Sequence, residues 1–140
     1  MNTMKEIIED KGRVLAVILR GTDFPEGLNF HTKDEDFLQV ATWNYQKGRK
    51  SSVHSHKIAE RMSNRTQEVV YIKRGKVKAE IYSEDDKLLK EVILKEGDSI
   101  IIFGGGHSFE VLEDKTQALE IKNGPYPGLE RDKRDLNAKQ

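Results

Sequence analysis

The chain has 140 residues, enough for one domain with a core of its own and no disulfide staples. Lysine plus arginine and aspartate plus glutamate are balanced at 24 each, so the summed charge gives no general attraction to phosphate backbones or anionic bilayers, and neither nucleic acid nor membrane is expected as a partner. Cysteine is absent, which excludes a disulfide framework, a thiolate metal site and a Cys nucleophile and leaves His, Asp and Glu as metal donors.

The opening residues, MNTMKEIIEDKGR, contain no apolar h-region, and no stretch approaches the roughly 18 apolar residues of a membrane span. A soluble cytoplasmic chain is the expectation. Glu6 to Glu9 and Val14 to Arg20 flank Asp-Lys-Gly at 10 to 12, where glycine offers positive φ, so a hairpin is predicted. Its second arm, VLAVILR, is almost continuously apolar and calls for cover on both faces, from the chain itself or from another subunit in a homodimer. Residues 21–36, with Pro25, two glycines and five acids, read as a loop. His31 lies within it with no ligand spacing around it and reads as a solvated or capping histidine.

From Phe37 the pattern becomes strand after strand. FLQVATWNY places Leu38, Val40, Thr42 and Asn44 on one face and Phe37, Gln39, Ala41, Trp43 and Tyr45 on the other. A polar turn around Gly48 leads to SVHSHK, read as a strand, and then to IAERMSNR, a long loop or short helical turn. Glu68 opens EVVYIKR; Arg74-Gly75 turns; KVKAEIY alternates strictly with Val77, Ala79 and Ile81 inward. Leu88 to Leu94, Ser99 to Phe103, FEVLE and QALEIKN complete the set. Short strands at spacings of about 8 to 12 residues predict an all-β antiparallel sandwich or barrel. Residues 124–140, rich in proline, glycine and mixed charge, read as a solvated extension that packs Tyr126 against the body.

Four residues carry the chemistry. Successive side chains of a strand alternate faces, so His54 and His56 project into one space. Glu68, opening the strand after the loop, can add a carboxylate to that space, and His107 follows three glycines at the end of another apolar run. Three neutral imidazoles and one carboxylate form a first shell for a divalent transition metal, with Fe, Mn, Ni, Co and Zn alike admissible. Tyr45, Tyr71 and Glu80 are the available proton-transfer groups, and no catalytic residue can be assigned among them.

Gly48, five residues, His54-x-His56, then Glu68, six residues, Gly75 resembles the first motif of the cupin superfamily, and Gly97 through the glycine turn to His107 resembles its second. The resemblance covers about 37–123 and implies an antiparallel jelly-roll (double-stranded β-helix) barrel, preceded by an N-terminal hairpin arm at 4–20 and followed by an extension at 124–140, all one domain. It implies that His54, His56, Glu68 and His107 are the metal ligands. Three departures stand out: 11 residues separate His56 from Glu68, far more than the usual motif allows; Phe103 stands where proline is usual; and the turn before His107 is short. The loop 57–67 carries Lys57, Arg61 and Arg65, which suit an anionic small-molecule ligand, and a bulge could exchange Gln67 with Glu68. The resemblance allows a metal-dependent dioxygenase or a sugar isomerase or epimerase. The alternative is a non-catalytic module that binds a metal or small anion as a sensor or assembly partner, since one fold hosts both.

Overall fold

The computed structural model describes residues 4–136. Ten strands in three antiparallel sheets make the body: β1 (Lys5–Asp10), β2 (Arg13–Leu19), β3 (Gly27–Phe30), β4 (Ala41–Asn44), β5 (Glu68–Arg74), β6 (Lys76–Tyr82), β7 (Leu88–Lys95), β8 (Ser99–Ile102), β9 (Gly106–Val111) and β10 (Gln117–Lys122). Their orders are β1-β2-β8-β5-β10, β3-β4 and β7-β6-β9. A single helical turn, α1 (Leu129–Asp132), follows. No helix among the described residues is long and apolar enough to cross a membrane.

The predicted hairpin forms through Lys11 and Gly12, both at positive φ (50° and 78°), the pair of conformations whose twist matches that of the flanking strands. Its ladder shifts between Ile8 and Glu9: Ile8 faces Ala16 and Glu9 faces Val14, leaving Leu15 as an extra residue. This bulge lets neighbouring Leu15 and Ala16 both enter the same core cluster, which strict alternation would forbid.

The five- and three-stranded sheets share that core. Ala16, Ile18, Val70, Ile72, Ile100 and Ile102 come from the first; Val77, Ala79, Ile81, Val92 and Leu94 come from the second. The strict alternation of β6 is realised as read, with Val77, Ala79 and Ile81 buried. Behind the larger sheet, Val17, Leu19, Val69, Ile101 and Phe103 form a second cluster, covered by Met4, Val14, Leu38 and Val40. The near-continuous apolarity of VLAVILR is thereby explained within one chain. β2 lies between β1 and β8, and its two faces serve two clusters without a second subunit.

Two stretches differ from the reading above. The expected loop 21–36 contains β3, which pairs with β4, and the strand expected over 37–45 is regular only from Ala41 to Asn44. Residues 37–40 turn aside because buried Gln67 accepts hydrogen bonds from the Phe37 and Leu38 amides at 2.8 and 3.2 Å, setting Leu38 and Val40 on the second cluster. The second difference is larger. SVHSHK is not a strand: residues 45–67 have no regular strand or helix, and Val53, Ile58 and Met62 are 95%, 104% and 87% exposed. A strand persists through ladder partners and a buried apolar face. The face that would carry His54 and His56 offers only Ile58 as an apolar neighbour, too little surface to draw the segment onto a sheet.

Candidate metal centre

Glu68 and His107 meet at one end of the sandwich. Glu68 is the first residue of β5, where it pairs with Ile102 of β8, which in turn pairs with Ala16 of β2. Ala16 and Ile102 belong to the core, so the carboxylate points inward at the end of an apolar row and is buried. Neighbouring Gln67 faces the other way, binding the 37–38 backbone. The bulge that would exchange the two is not formed.

His107 is the second residue of β9 and pairs with Ile81 of β6. Its ring lies 5.4 Å from that of Phe109, which packs against the main core. The turn before it depends on glycine at a specific place: Gly105 has φ 72°, and a Cβ there would run into the Tyr82 carbonyl oxygen. Gly104 and Gly106 lie outside the left-handed region, yet a Cβ on Gly106 would come within 2.7 Å of Leu136 Cδ1. The glycine run thus turns His107 onto the face of β9 that meets Glu68, with Gly105 supplying the backbone conformation and Gly106 the space, while the residue itself stays exposed.

Glu68 Oε1 lies 2.9 Å from His107 Nε2, with the two side chains 4% and 31% exposed. Lys122 Nζ is 3.8 Å from the other oxygen, Oε2. Burial is the largest influence on the Glu68 carboxyl and pushes its pKa up. The opposing influences of His107, Lys122 and Lys133 together outweigh it and hold the group below its usual range. The 2.9 Å approach of His107 Nε2 is the polar contact of Oε1, and it lowers the Glu68 pKa, but among the described residues it does not complete a hydrogen bond of good geometry. A buried carboxylate oxygen with one imperfect contact still has acceptor capacity to spare, so it marks a place where a further group can be held.

His54 and His56 are elsewhere. Both are exposed on the irregular segment, their rings 5.3 Å apart and edge-on, with His54 Nδ1 2.9 Å from the Ser52 carbonyl oxygen. Among the described residues no group of three or more His, Asp or Glu side chains is placed to hold a metal ion. The structure therefore brings together Glu68 and His107 and leaves the His-x-His pair in solvent.

The remaining candidates are placed as follows. Arg61 reaches the Ala59 carbonyl, at 3.4 Å, and Arg65 lies over the Phe37 ring, 5.9 Å from its centre. Lys57 is exposed, as are Tyr45 and Tyr71. Glu80 accepts a 2.6 Å hydrogen bond from Tyr82, which is the first cause of a raised Tyr82 pKa, with burial adding to it. His31, read as a solvated or capping histidine, is instead half-buried, with Nε2 2.9 Å from Thr42 Oγ1. Lys122 and Lys133 beside Glu68 were not anticipated. The alternation of QALEIK puts Ala118, Glu120 and Lys122 on one face, but only the pairing of Lys122 with Glu68 identifies that face as the one beside the carboxylate. Searches against protein-family models, curated proteins and solved structures returned no match to this chain.

Proposed function

We propose that this protein is a cupin-like metalloprotein in which Glu68 and His107 are two of four ligands to a divalent transition metal, with His54 and His56 the others. The observation that carries the reading is the buried Glu68 Oε1, 2.9 Å from His107 Nε2 and without a hydrogen bond of good geometry among the described residues. A carboxylate oxygen and an imidazole nitrogen side by side are donors suited to Fe, Mn, Co, Ni or Zn. Such an ion, when bound, would polarise a carbonyl or acidify a water.

The His-x-His pair has a destination in the chain's own architecture. Among the described residues β9, which carries His107, pairs only with β6, so its other edge is open there to a further strand. On this reading residues 51–58, too polar to hold a sheet by packing alone, take that edge when metal binding draws His54 and His56 to the Glu68 end, completing a jelly-roll barrel. Beyond the ligands, Lys122 and Lys133 give the site cations suited to a small anionic or polar substrate. That favours a metal-dependent enzyme over a module whose metal is merely structural, since an enclosed structural site needs no charged groups beside it.

The test is Co(II) titration of metal-free protein, followed by visible absorption and by elemental analysis after gel filtration. Wild type should retain about one equivalent, with Glu68→Gln and His107→Ala each weakening retention by about ten- to a hundred-fold and His54→Ala by a comparable factor. Wild-type protein that retains no metal would overturn the assignment. Retention that depends on Glu68 and His107 but is indifferent to His54 and His56 would remove those two from the ligand set.

A further inference from the structure

The chain beyond β10 returns to the body. Residues 128–136 turn back across the end of the sandwich where Glu68 and His107 meet, and they touch both sheets. On the side of the five-stranded sheet, the Thr66 hydroxyl donates to Asp132 Oδ1, two residues before Glu68. On the side of the three-stranded sheet, Arg134 grips Asp86 in the β6–β7 turn with both guanidinium nitrogens, at 2.7 and 3.0 Å. Leu136 reaches the start of β9, filling the space that a side chain on Gly106 would need. Between these anchors Lys133 is one of the cations that, against the larger opposing pull of burial, lower the Glu68 pKa.

These ties are of a kind that opens easily. α1 contributes no buried residue, and the Arg134 side chain is 63% exposed. Solvent-exposed ion pairs hold weakly, and segments with few buried contacts open without unfolding the rest. The strands beneath are different, with Ile72, Ile81 and Ile100 fully buried.

We infer that residues 128–136 are a releasable clasp beside the Glu68–His107 pair: seated, the segment narrows the approach to the imidazole, whose side chain stays 31% exposed, and sets Lys133 near the carboxylate; released, it admits a metal cation to both donors. The identity of the admitted ion rests on the function proposed above, whereas the narrowed approach does not and is tested separately.

The first readout is carbethoxylation of histidines by diethylpyrocarbonate, with each site followed by peptide mapping. Arg134→Ala should raise the rate at His107 by about two- to five-fold, the population change that an exposed tie supplies, and the Arg134→Ala/Leu136→Ala pair should raise it further. Rates at His54 and His56 should not change. Lys11→Ala, which removes a different exposed ion pair, that with Asp85, should leave His107 as in wild type. An unchanged His107 rate in the double variant overturns the clasp. The second readout is stopped-flow Co(II) binding, expected to be faster in the same variants. Raised His107 reactivity with no Co(II) binding in any variant keeps the clasp and ends the metal assignment; Co(II) binding at equal rates with unchanged reactivity does the reverse.

Discussion

Arg20 and Asp98, 78 positions apart, form an ion pair in which Nη1 lies 2.9 Å from Oδ2 and the carboxylate side chain is 1% exposed. Asp98 also accepts from the Gly21 amide at 2.8 Å and the Lys95 amide at 2.9 Å, while Arg20 binds Glu6 and the Ile93 carbonyl. The two residues thus join the β1–β2 sheet edge, the 95–98 turn and β7. Gly21 and Gly97 pass so close there that a Cβ on Gly21 would lie 2.9 Å from the Gly97 backbone.

Removing the carboxylate leaves the Gly21 and Lys95 amides without their acceptor and takes one partner from the Arg20 guanidinium, which is 24% exposed and keeps Glu6 and the Ile93 carbonyl. Asp98→Ala should cost about 1–3 kcal/mol and Asp98→Asn less, because the amide oxygen can still accept from one backbone donor. Urea denaturation checks this. A loss below about 1 kcal/mol for Asp98→Ala would show that the network is dispensable.

Gly105 and Gly12 offer a matched comparison. Both have positive φ, 72° and 78°, but a Cβ at Gly12 meets nothing within 4 Å whereas one at Gly105 meets the Tyr82 carbonyl. Gly12→Ala should therefore cost about 1–2 kcal/mol, the conformational term alone. Gly105→Ala should cost more and should shift the His107 ring resonances, which Gly12→Ala should not. Equal costs would mean that backbone conformation alone decides both sites.

Gln67 is the tether of the 37–40 segment. Gln67→Ala leaves the Phe37 and Leu38 amides without their acceptor and should destabilise by about 1–3 kcal/mol. Hydrogen exchange should accelerate at those two amides, with little change at Ile100 or Ile81 in the core. Unchanged exchange at Phe37 and Leu38 would show that they are held by Leu38 and Val40 packing instead.

His31 predicts a direction for the pH dependence. Burial first, and the nearby Lys5 charge second, lower its pKa from the usual 6.5, so the folded state releases a proton that the unfolded state keeps. The stability associated with neutral His31 is complete above pH 6.5 and is lost as pH falls from 6.5 towards the folded pKa. Denaturation midpoints measured from pH 7.5 to 5 should fall less steeply for His31→Gln than for wild type. Parallel profiles would dismiss the histidine as a source of acid sensitivity.

Legibility in the sequence followed the strength of local pattern. Val77, Ala79 and Ile81 carry an unbroken period of two, and Asp10-Lys11-Gly12 carries a turn chemistry with one good solution; both are found as read. The turn into His107 was legible for the same reason, since glycines announce backbone freedom. β3 was hidden because Gly27, Asn29 and the surrounding acids resemble loop composition, and its existence depends on β4 across the ribbon. The segment 51–58 shows the converse: His54 and His56 have strand spacing, but spacing does not provide a partner. Lys122 and Lys133 become neighbours of Glu68 only through pairing and chain return, which no local window contains.

The bulge at Leu15 has a consequence for how this chain tolerates length change. Losing one residue from a strand ordinarily turns every side chain beyond it to the opposite face. At Leu15 the partner strand already counts one residue fewer, so excising it would give an even ladder in which Val14 and Ala16 keep their present orientations. The cost would be the hole left by a single leucine and the loss of the 2.8 Å bond that the Phe103 amide donates to the Leu15 carbonyl, making this a place in β2 where an indel is a local defect and not a topological one.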